Sequence, residues 1–162
     1  MTVQKNGLLS NKMDKFLFVY FNELEKLTVR EYAEKSGVSK SSVSTYLAEW
    51  DLLKSDSLGY KLHKSVFEIK RIISSGLLDF IVEKMQPSAI IIFGSMQKGD
   101  YTYSSDIDIF VESYEGEVSF ASYEKVLGRE IQLFVYDSIS KVPKDLRQNI
   151  VNGYTIYGGV RV

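Results

Sequence analysis

The feature that most constrains the fold is a short apolar run, Ala89 to Phe93, which reads Ala-Ile-Ile-Ile-Phe. Five residues rich in β-branched side chains are too few for a core helix and are typical of a buried strand. Pro87 stands just before the run, and a helix cannot easily continue through proline. We therefore place a domain boundary between residues 86 and 87 and expect a strand to open the second domain.

The second half alternates between strand-like and helix-like segments. Because strands that alternate with helices favour a layered α/β arrangement, we expect residues 87–162 to form one mixed-sheet α/β domain. Pro143 stands where the first residue of a helix is expected. The predicted segments after Phe93 are a strand at Ile107–Val111, a helix at Phe120–Leu127, a strand at Ile131–Tyr136, a helix from Pro143 to about Val151 and a strand at Tyr154–Tyr157.

The first half has the spacing of helices. Apolar residues recur at helical intervals between Met13 and Leu27. Thr28 and Glu31 form a capping box at the start of a second helix, Val29 to Lys35, which Gly37 is placed to end.

A third helix is expected to begin after Ser39, a candidate N-cap. The segment Leu53 to Leu62 contains Gly59 and predicts a short hairpin. The following segment, Ser65 to Gln86, predicts a linker helix that is broken near Ser74–Gly76.

This layout resembles a winged helix-turn-helix DNA-binding domain over residues 1–86, with the hairpin as its wing. The resemblance implies that polar residues at the start of the third helix contact duplex DNA. These are Ser39, Lys40, Ser41, Ser42, Ser44 and Thr45. Four more residues are assigned to the wing or its base, namely Lys54, Lys61, His63 and Lys64. A protein-interaction module is the alternative, because residues 1–86 have a net charge of only +2.

A candidate phosphate and metal site follows the first strand. Gly94 and Ser95 end that strand, where glycine permits a tight turn and the backbone N–H groups can face a phosphate. Lys98 adds a positive charge for a polyphosphate. Asp106 and Asp108 stand two residues apart on a strand, so both carboxylates project from the same face. Such paired oxygen ligands suit Mg²⁺.

The combined pattern resembles the DNA polymerase beta nucleotidyltransferase superfamily, in particular the minimal nucleotidyltransferases. The matching residues are Gly94, Ser95, Gly99, Ser105, Asp106 and Asp108. The resemblance implies an α+β protein of two domains that transfers a nucleoside monophosphate from an NTP, with ATP expected, to an acceptor hydroxyl. It also implies Mg²⁺ or Mn²⁺ at Asp106 and Asp108, and nucleotide contacts from the matching glycines and serines and from Lys98.

One position departs from the family pattern. The family has a third carboxylate on the next strand, and the matching residue here is Gln132, which cannot accept a proton. Glu130 lies two residues earlier on the same strand face and is the candidate replacement, whereas Asp137 lies at the strand end. A degenerate domain that binds nucleotide or a partner without turnover, as in a transcriptional regulator or an antitoxin, is therefore the alternative to an enzyme.

The amino-acid composition excludes further kinds of site and of protein. The chain has no cysteine and a single histidine, His63, which excludes disulfides and a multi-histidine zinc site. No apolar run is long enough to span a bilayer, and the N-terminus has no signal-peptide pattern, so we expect a cytoplasmic protein without membrane contact. Resemblance to minimal nucleotidyltransferases further implies a HEPN-type protein as a partner.

Overall fold

The computed structural model describes residues 8–9, 11–51, 56–114 and 118–160. Five helices come first, and a mixed sheet with three further helices follows. The helices of the first part are α1 (Lys12–Asn22), α2 (Val29–Ser36), α3 (Lys40–Trp50), α4 (Leu58–Ser74) and α5 (Leu77–Met85). The second part comprises β1 (Ala89–Phe93), α6 (Gly94–Lys98), β2 (Ile107–Glu112), α7 (Ala121–Leu127), β3 (Ile131–Tyr136), a 3₁₀ turn (Ile139–Lys141), α8 (Lys144–Val151) and β4 (Tyr154–Gly158).

Local capping fixes the ends of α2 as the sequence predicts. The Thr28 side chain accepts from the Glu31 backbone N–H, and the Glu31 carboxylate accepts from the Thr28 backbone N–H at 2.7 Å. Gly37 ends the helix with φ of 69°, in the left-handed region that glycine adopts most easily. Ser39 then caps α3, so the second and third predicted helices are present.

The predicted hairpin at residues 53–62 is wrong. Residues 52–55, including Lys54, lie outside the described residues, but α4 begins at Leu58 and contains Gly59. Ser57 caps this helix by accepting from the Tyr60 backbone N–H. A helix is favoured here because Tyr60 and Phe67, seven residues apart, lie on one face of α4 and are both buried in the same hydrophobic cluster.

A wing is consequently absent from the described residues. Lys61, His63 and Lys64 lie on α4 and not on a hairpin. The expected break near residues 74–76 is confirmed, since α4 ends at Ser74 and α5 begins at Leu77.

The sheet has the strand order β3-β2-β1-β4. β1 runs antiparallel to β2 and β4, whereas β2 and β3 are parallel and are connected through α7. The mixed sheet that the sequence predicts is therefore present, and α8 begins just after Pro143. β2 has paired strands on both sides, which holds its backbone firmly.

Both faces of the sheet are covered. Ile90 and Ile92 pack against α5, α7 and the end of α4, and Ile91 and Phe93 pack against α8 and the 3₁₀ turn. The helices α1 to α3 build a separate aromatic core around Phe16.

Helix α4 takes part in both cores. Tyr60 and Phe67 belong to the helical core, whereas Ile72 belongs to the core of the sheet. The helical part and the sheet are thus packed on one continuous helix. Within the described ranges, no helix is long and apolar enough to cross a membrane.

Candidate metal and nucleotide site

Asp106 and Asp108 lie at the start of the central strand β2. Ile107 and Ile109 are fully buried, while the two aspartates alternate with them and are half-buried. Asp108 stands opposite Phe93 of β1 and Gln132 of β3 in the strand register. Since β2 is paired on both sides, the sheet fixes the backbone position of Asp108, whereas Asp106 is the last residue of the loop before the strand.

Gly94 brings the end of β1 directly against Asp108. Its φ is 71°, and a Cβ at this position would overlap the Asp108 carboxylate. The Gly94–Ser95 segment, predicted as a turn, forms the first residues of the short helix α6. Ser95 is half-buried in that first turn, and Lys98 is exposed in the last turn. The start of α6 and the aspartates therefore share one corner of the sheet.

The environment of Asp108 disfavours its negative charge. Burial, and then the nearby Asp106 carboxylate, raise the pKa of Asp108, while Lys98 acts in the opposite direction. A bound cation would reverse this balance, because it attracts both carboxylates in their ionised forms.

Gln132 lies where the third carboxylate of the resemblance is expected. Its side-chain amide donates from Nε2 to Asp106 Oδ2 at 2.9 Å. Glu130 is exposed just before β3, and Asp137 forms an ion pair with Lys141 beyond the other end of this strand. In the described part of the chain, no three acidic or histidine side chains are grouped closely enough to hold a metal.

Gly99 and Ser105 have contacts within the fold. A Cβ on Gly99 would overlap the backbone of Lys61, so this glycine lets the end of α6 approach α4. The Ser105 hydroxyl accepts from the Thr102 backbone N–H at 2.9 Å and shapes the loop that leads into β2. These contacts explain both residue types without a nucleotide.

An open groove of about 300 Å³ lies beside Asp106. It is lined by Tyr103, Ser104, Ser105, Asp106, Gly128, Arg129 and Glu130. The sequence predicts no role for Arg129. Its guanidinium donates to the backbone carbonyls of Thr102 and Ser105, the latter at 2.9 Å. Both partners are more than 20 residues away in sequence, so no local pattern indicates them.

The residues predicted to contact DNA lie together at the start of α3. All but the half-buried Ser42 are exposed. Ser39 shares hydrogen bonds with Ser41 at 3.2 Å and with Ser42 at 2.9 Å, and Thr45 donates to the Ser41 carbonyl. Lys40 is the basic residue of the group, so this surface offers mainly hydroxyl groups.

A mixed sheet with an Asp-x-Asp pair beside a Gly-Ser helix start is consistent with a nucleotidyltransferase-type domain. The chain belongs to the nucleotidyltransferase domain family, whose sequence profile matches residues 74–157. The match begins at the end of α4, includes β1 to β3 and ends one residue before the end of β4.

Two relatives from Methanocaldococcus jannaschii bear the name "Putative protein adenylyltransferase". One is 33% identical over 98 residues, which cover 54% of this chain and 97% of the relative. The other is 36% identical over 87 residues, which cover 50% of this chain and 88% of the relative. About half of this chain thus has no counterpart in either relative. No solved structure matches the sequence with comparable significance.

Proposed function

We propose that the protein transfers a nucleoside monophosphate from an NTP to an acceptor hydroxyl, with release of pyrophosphate. The observation that carries this proposal is the pair of carboxylates, Asp106 and Asp108, of which Asp108 lies against Gly94 at the start of α6. Because Asp108 is half-buried next to a like charge, the pair is suited to a divalent cation. Family membership supports the reaction class.

Each residue of the site has a proposed part in the reaction. Asp106 and Asp108 hold Mg²⁺ or Mn²⁺ through their carboxylate oxygens, and the Gln132 side-chain oxygen can add a weaker ligand. A bound ion of this kind supplies charge neutralisation on the phosphates during in-line displacement. Ser95, the first-turn N–H groups of α6 and Lys98 orient the triphosphate. Glu130 accepts the proton of the acceptor hydroxyl.

The nucleotide and the acceptor are proposed from the relatives. Their printed name describes protein adenylylation. We therefore propose ATP as the nucleotide and a protein hydroxyl as the acceptor, with a HEPN-type partner as the candidate implied by resemblance. The groove beside Asp106 is the place where such an acceptor would approach.

A second candidate function is nucleotide binding without turnover. The hydrogen bond from Gln132 to Asp106 favours this alternative, because an amide occupies the place of the third carboxylate. Such a protein would act as a regulator or an antitoxin. Both candidates require the same metal-dependent nucleotide site.

The proposed site is tested by replacing both carboxylates. The double variant Asp106→Asn, Asp108→Asn should lose Mg²⁺-dependent ATP binding in calorimetry, with affinity reduced at least about tenfold. The fold should persist, because half-buried side chains at the edge of a groove contribute little packing. Asp137→Asn removes a carboxylate beyond the far end of β3 and is the matched control. Unchanged ATP affinity in the double variant would refute the proposed site.

We also propose that α3 binds duplex DNA. The support is the cluster of exposed hydroxyl residues with Lys40 at the start of this helix. With so few basic residues, the slope of log affinity against log salt should be shallow, and Lys40→Ala should reduce it by about 1.

The measurement uses the full chain and a pool of genomic fragments at several salt concentrations. Lys144→Ala, at the exposed start of α8, is the control and should leave the salt slope unchanged. Absence of binding at low salt would favour the protein-interaction module.

A further inference from the structure

The Arg129 side chain is buried at the junction of three parts of the molecule. Its guanidinium donates to the Thr102 and Ser105 carbonyls in the loop before Asp106. The same group donates to the Asn22 side-chain oxygen at the end of α1 and to Glu68 of α4. One side chain thus ties the groove to two helices of the first half.

The partners of Arg129 are themselves held in place. Asn22 donates its side-chain N–H to the Phe18 carbonyl at 2.8 Å, which turns its oxygen toward Arg129. Glu68 Oε1 also accepts from Arg71 at 2.7 Å, and Arg71 donates further to the Leu127 carbonyl. Since each contact fixes the next, the guanidinium has a defined position and orientation.

We propose that Arg129 is a positioning residue that couples the N-terminal helices to the metal-binding carboxylates, an inference that rests on the proposed function. The loop of residues 99–106 leads directly into β2, and two of its carbonyls are fixed by Arg129. Release of these carbonyls would let the loop move, and Asp106 with it. A shift of α1 or α4 would therefore be transmitted to Asp106 through the Arg129 guanidinium.

Two of the groups that contact Arg129 lie outside the part of the chain that matches the family. The relatives are covered almost entirely by about half of this chain. The family match begins at residue 74, so Asn22 and Glu68 lie outside it, whereas Arg129 lies within. Two of the contacts of Arg129 thus come from residues outside the family match. A ligand or partner that shifts α1 would change the metal affinity.

A simpler explanation is charge balance, because Glu68 is a fully buried carboxylate that needs cations nearby. Lysine distinguishes the two explanations. Arg129→Lys keeps the positive charge, but an ammonium lacks the planar fork that reaches both carbonyls and Asn22 together. Positioning requires the guanidinium, whereas charge balance does not.

The experiment compares Arg129→Gln and Arg129→Lys in the full chain. We expect both variants to exchange the backbone amides of residues 99–107 at least about tenfold faster with deuterium. Mn²⁺ affinity, measured by electron paramagnetic resonance of the free ion, should fall about 10–100-fold. Arg147→Lys is the matched control, because Arg147 also donates to two loop carbonyls, those of Ser140 and Val142, away from the site. It should change neither quantity.

The outcomes separate this inference from the proposed function. Wild-type exchange and Mn²⁺ affinity in Arg129→Lys would overturn the positioning role in favour of charge balance. If the wild type binds no Mn²⁺, the proposed function fails, and amide exchange alone decides the coupling. If the Arg129 variants do not fold, Asn22→Ala removes the α1 contact of Arg129, together with the hydrogen bond to the Phe18 carbonyl. Unchanged exchange of residues 99–107 in that variant would refute the coupling.

Discussion

Gln132 shows how one side chain can set the chemistry of this site. It stands opposite Asp108 on β3, and its amide holds Asp106 through a hydrogen bond. An amide can contribute an oxygen to a metal, but it cannot accept the proton of a hydroxyl. Under the proposed function, we therefore expect the balance between binding and turnover to depend on Gln132 and Glu130.

We expect Gln132→Asp to increase turnover. The new carboxylate would share the metal and accept the acceptor's proton, and such general-base assistance contributes about 10²–10⁴-fold. It should also lower the Tm of the metal-free protein, since a third carboxylate would join Asp106 and Asp108, and Mg²⁺ should restore that Tm. Transfer of label from ATP to lysate proteins measures the first effect, and thermal unfolding with and without Mg²⁺ measures the second.

Glu130 provides the control for this prediction. If Glu130 already acts as the base, Glu130→Gln should stop the reaction and Gln132→Asp should add little. Wild-type activity that survives Glu130→Gln would show that Glu130 does not supply the base. Absence of transfer in all variants, with the acceptor shown to be present, would favour binding without turnover.

At the scale of the element, the start of α6 depends on a residue without a Cβ. Gly94→Ala combines a backbone penalty at positive φ with overlap on the Asp108 carboxylate. We expect it to weaken Mg²⁺ binding at least about tenfold and to destabilise the fold by more than about 1–2 kcal/mol. Calorimetry and urea unfolding measure these two effects.

Gly37 is the control for the backbone penalty alone, that is, the cost of a Cβ at positive φ without any overlap. Its φ is 69°, but no atom lies within 4 Å of the place where a Cβ would stand. Gly37→Ala should therefore cost about 1–2 kcal/mol in unfolding free energy and leave Mg²⁺ affinity unchanged. Equal stability losses and equal metal affinities in both variants would contradict the proposed contact between Gly94 and Asp108.

Elements governed by local chemistry could be predicted from the sequence. The strand at Ala89–Phe93, the capping box at Thr28 and the Asp-x-Asp strand each depend on neighbouring residues, and all three are present. The helix predicted from Ser65 is present, but the first turns of α4 were predicted as a hairpin, because Leu58 and Leu62 are exposed there. That distribution hides the helical pattern, and Gly59 suggested a turn instead.

The contacts of Arg129 were beyond prediction for a different reason. They join side chains that only the finished fold brings together. Asp106 and Asp108 could be proposed because their spacing alone puts them on one strand face. The structure then adds Gly94 beneath Asp108 and Gln132 beside Asp106, both through strand pairing.

At the scale of the whole molecule, positive charge is in excess where the two halves meet. Arg71 and Arg129 share one oxygen of Glu68, and the Lys64 ammonium lies 4.6 Å from the centre of the Tyr101 ring. Burial lowers the pKa of Lys64 to about 8, with Arg129 adding repulsion and Asp100 opposing the shift. The unfolded chain holds this proton up to a pH of about 10.4.

Stability should therefore rise with pH between about 8 and 10, because the unfolded chain binds more protons there. Below pH 8 Lys64 is charged in the folded protein, so the full free-energy cost of burying its ammonium is present. We expect Lys64→Met to raise the free energy of unfolding at pH 7 by about 2 kcal/mol, and the gain to shrink toward pH 10. Urea unfolding at pH 7 and pH 9.5 measures it. The same gain at both pH values would contradict the prediction, and Lys61→Met, at a more exposed lysine paired with Asp100, is the control.

The contact between Asn22 and Arg129 spans 107 positions of the chain. During synthesis, which adds about 5–20 residues each second, α1 and α4 leave the ribosome several seconds before Arg129 does. The helices can pack early, but the loop before Asp106 cannot take its final shape until that arginine arrives. A ribosome-bound chain that stops short of Arg129 should therefore have folded helices and no working metal site, so binding competence is acquired late in the life of the nascent protein.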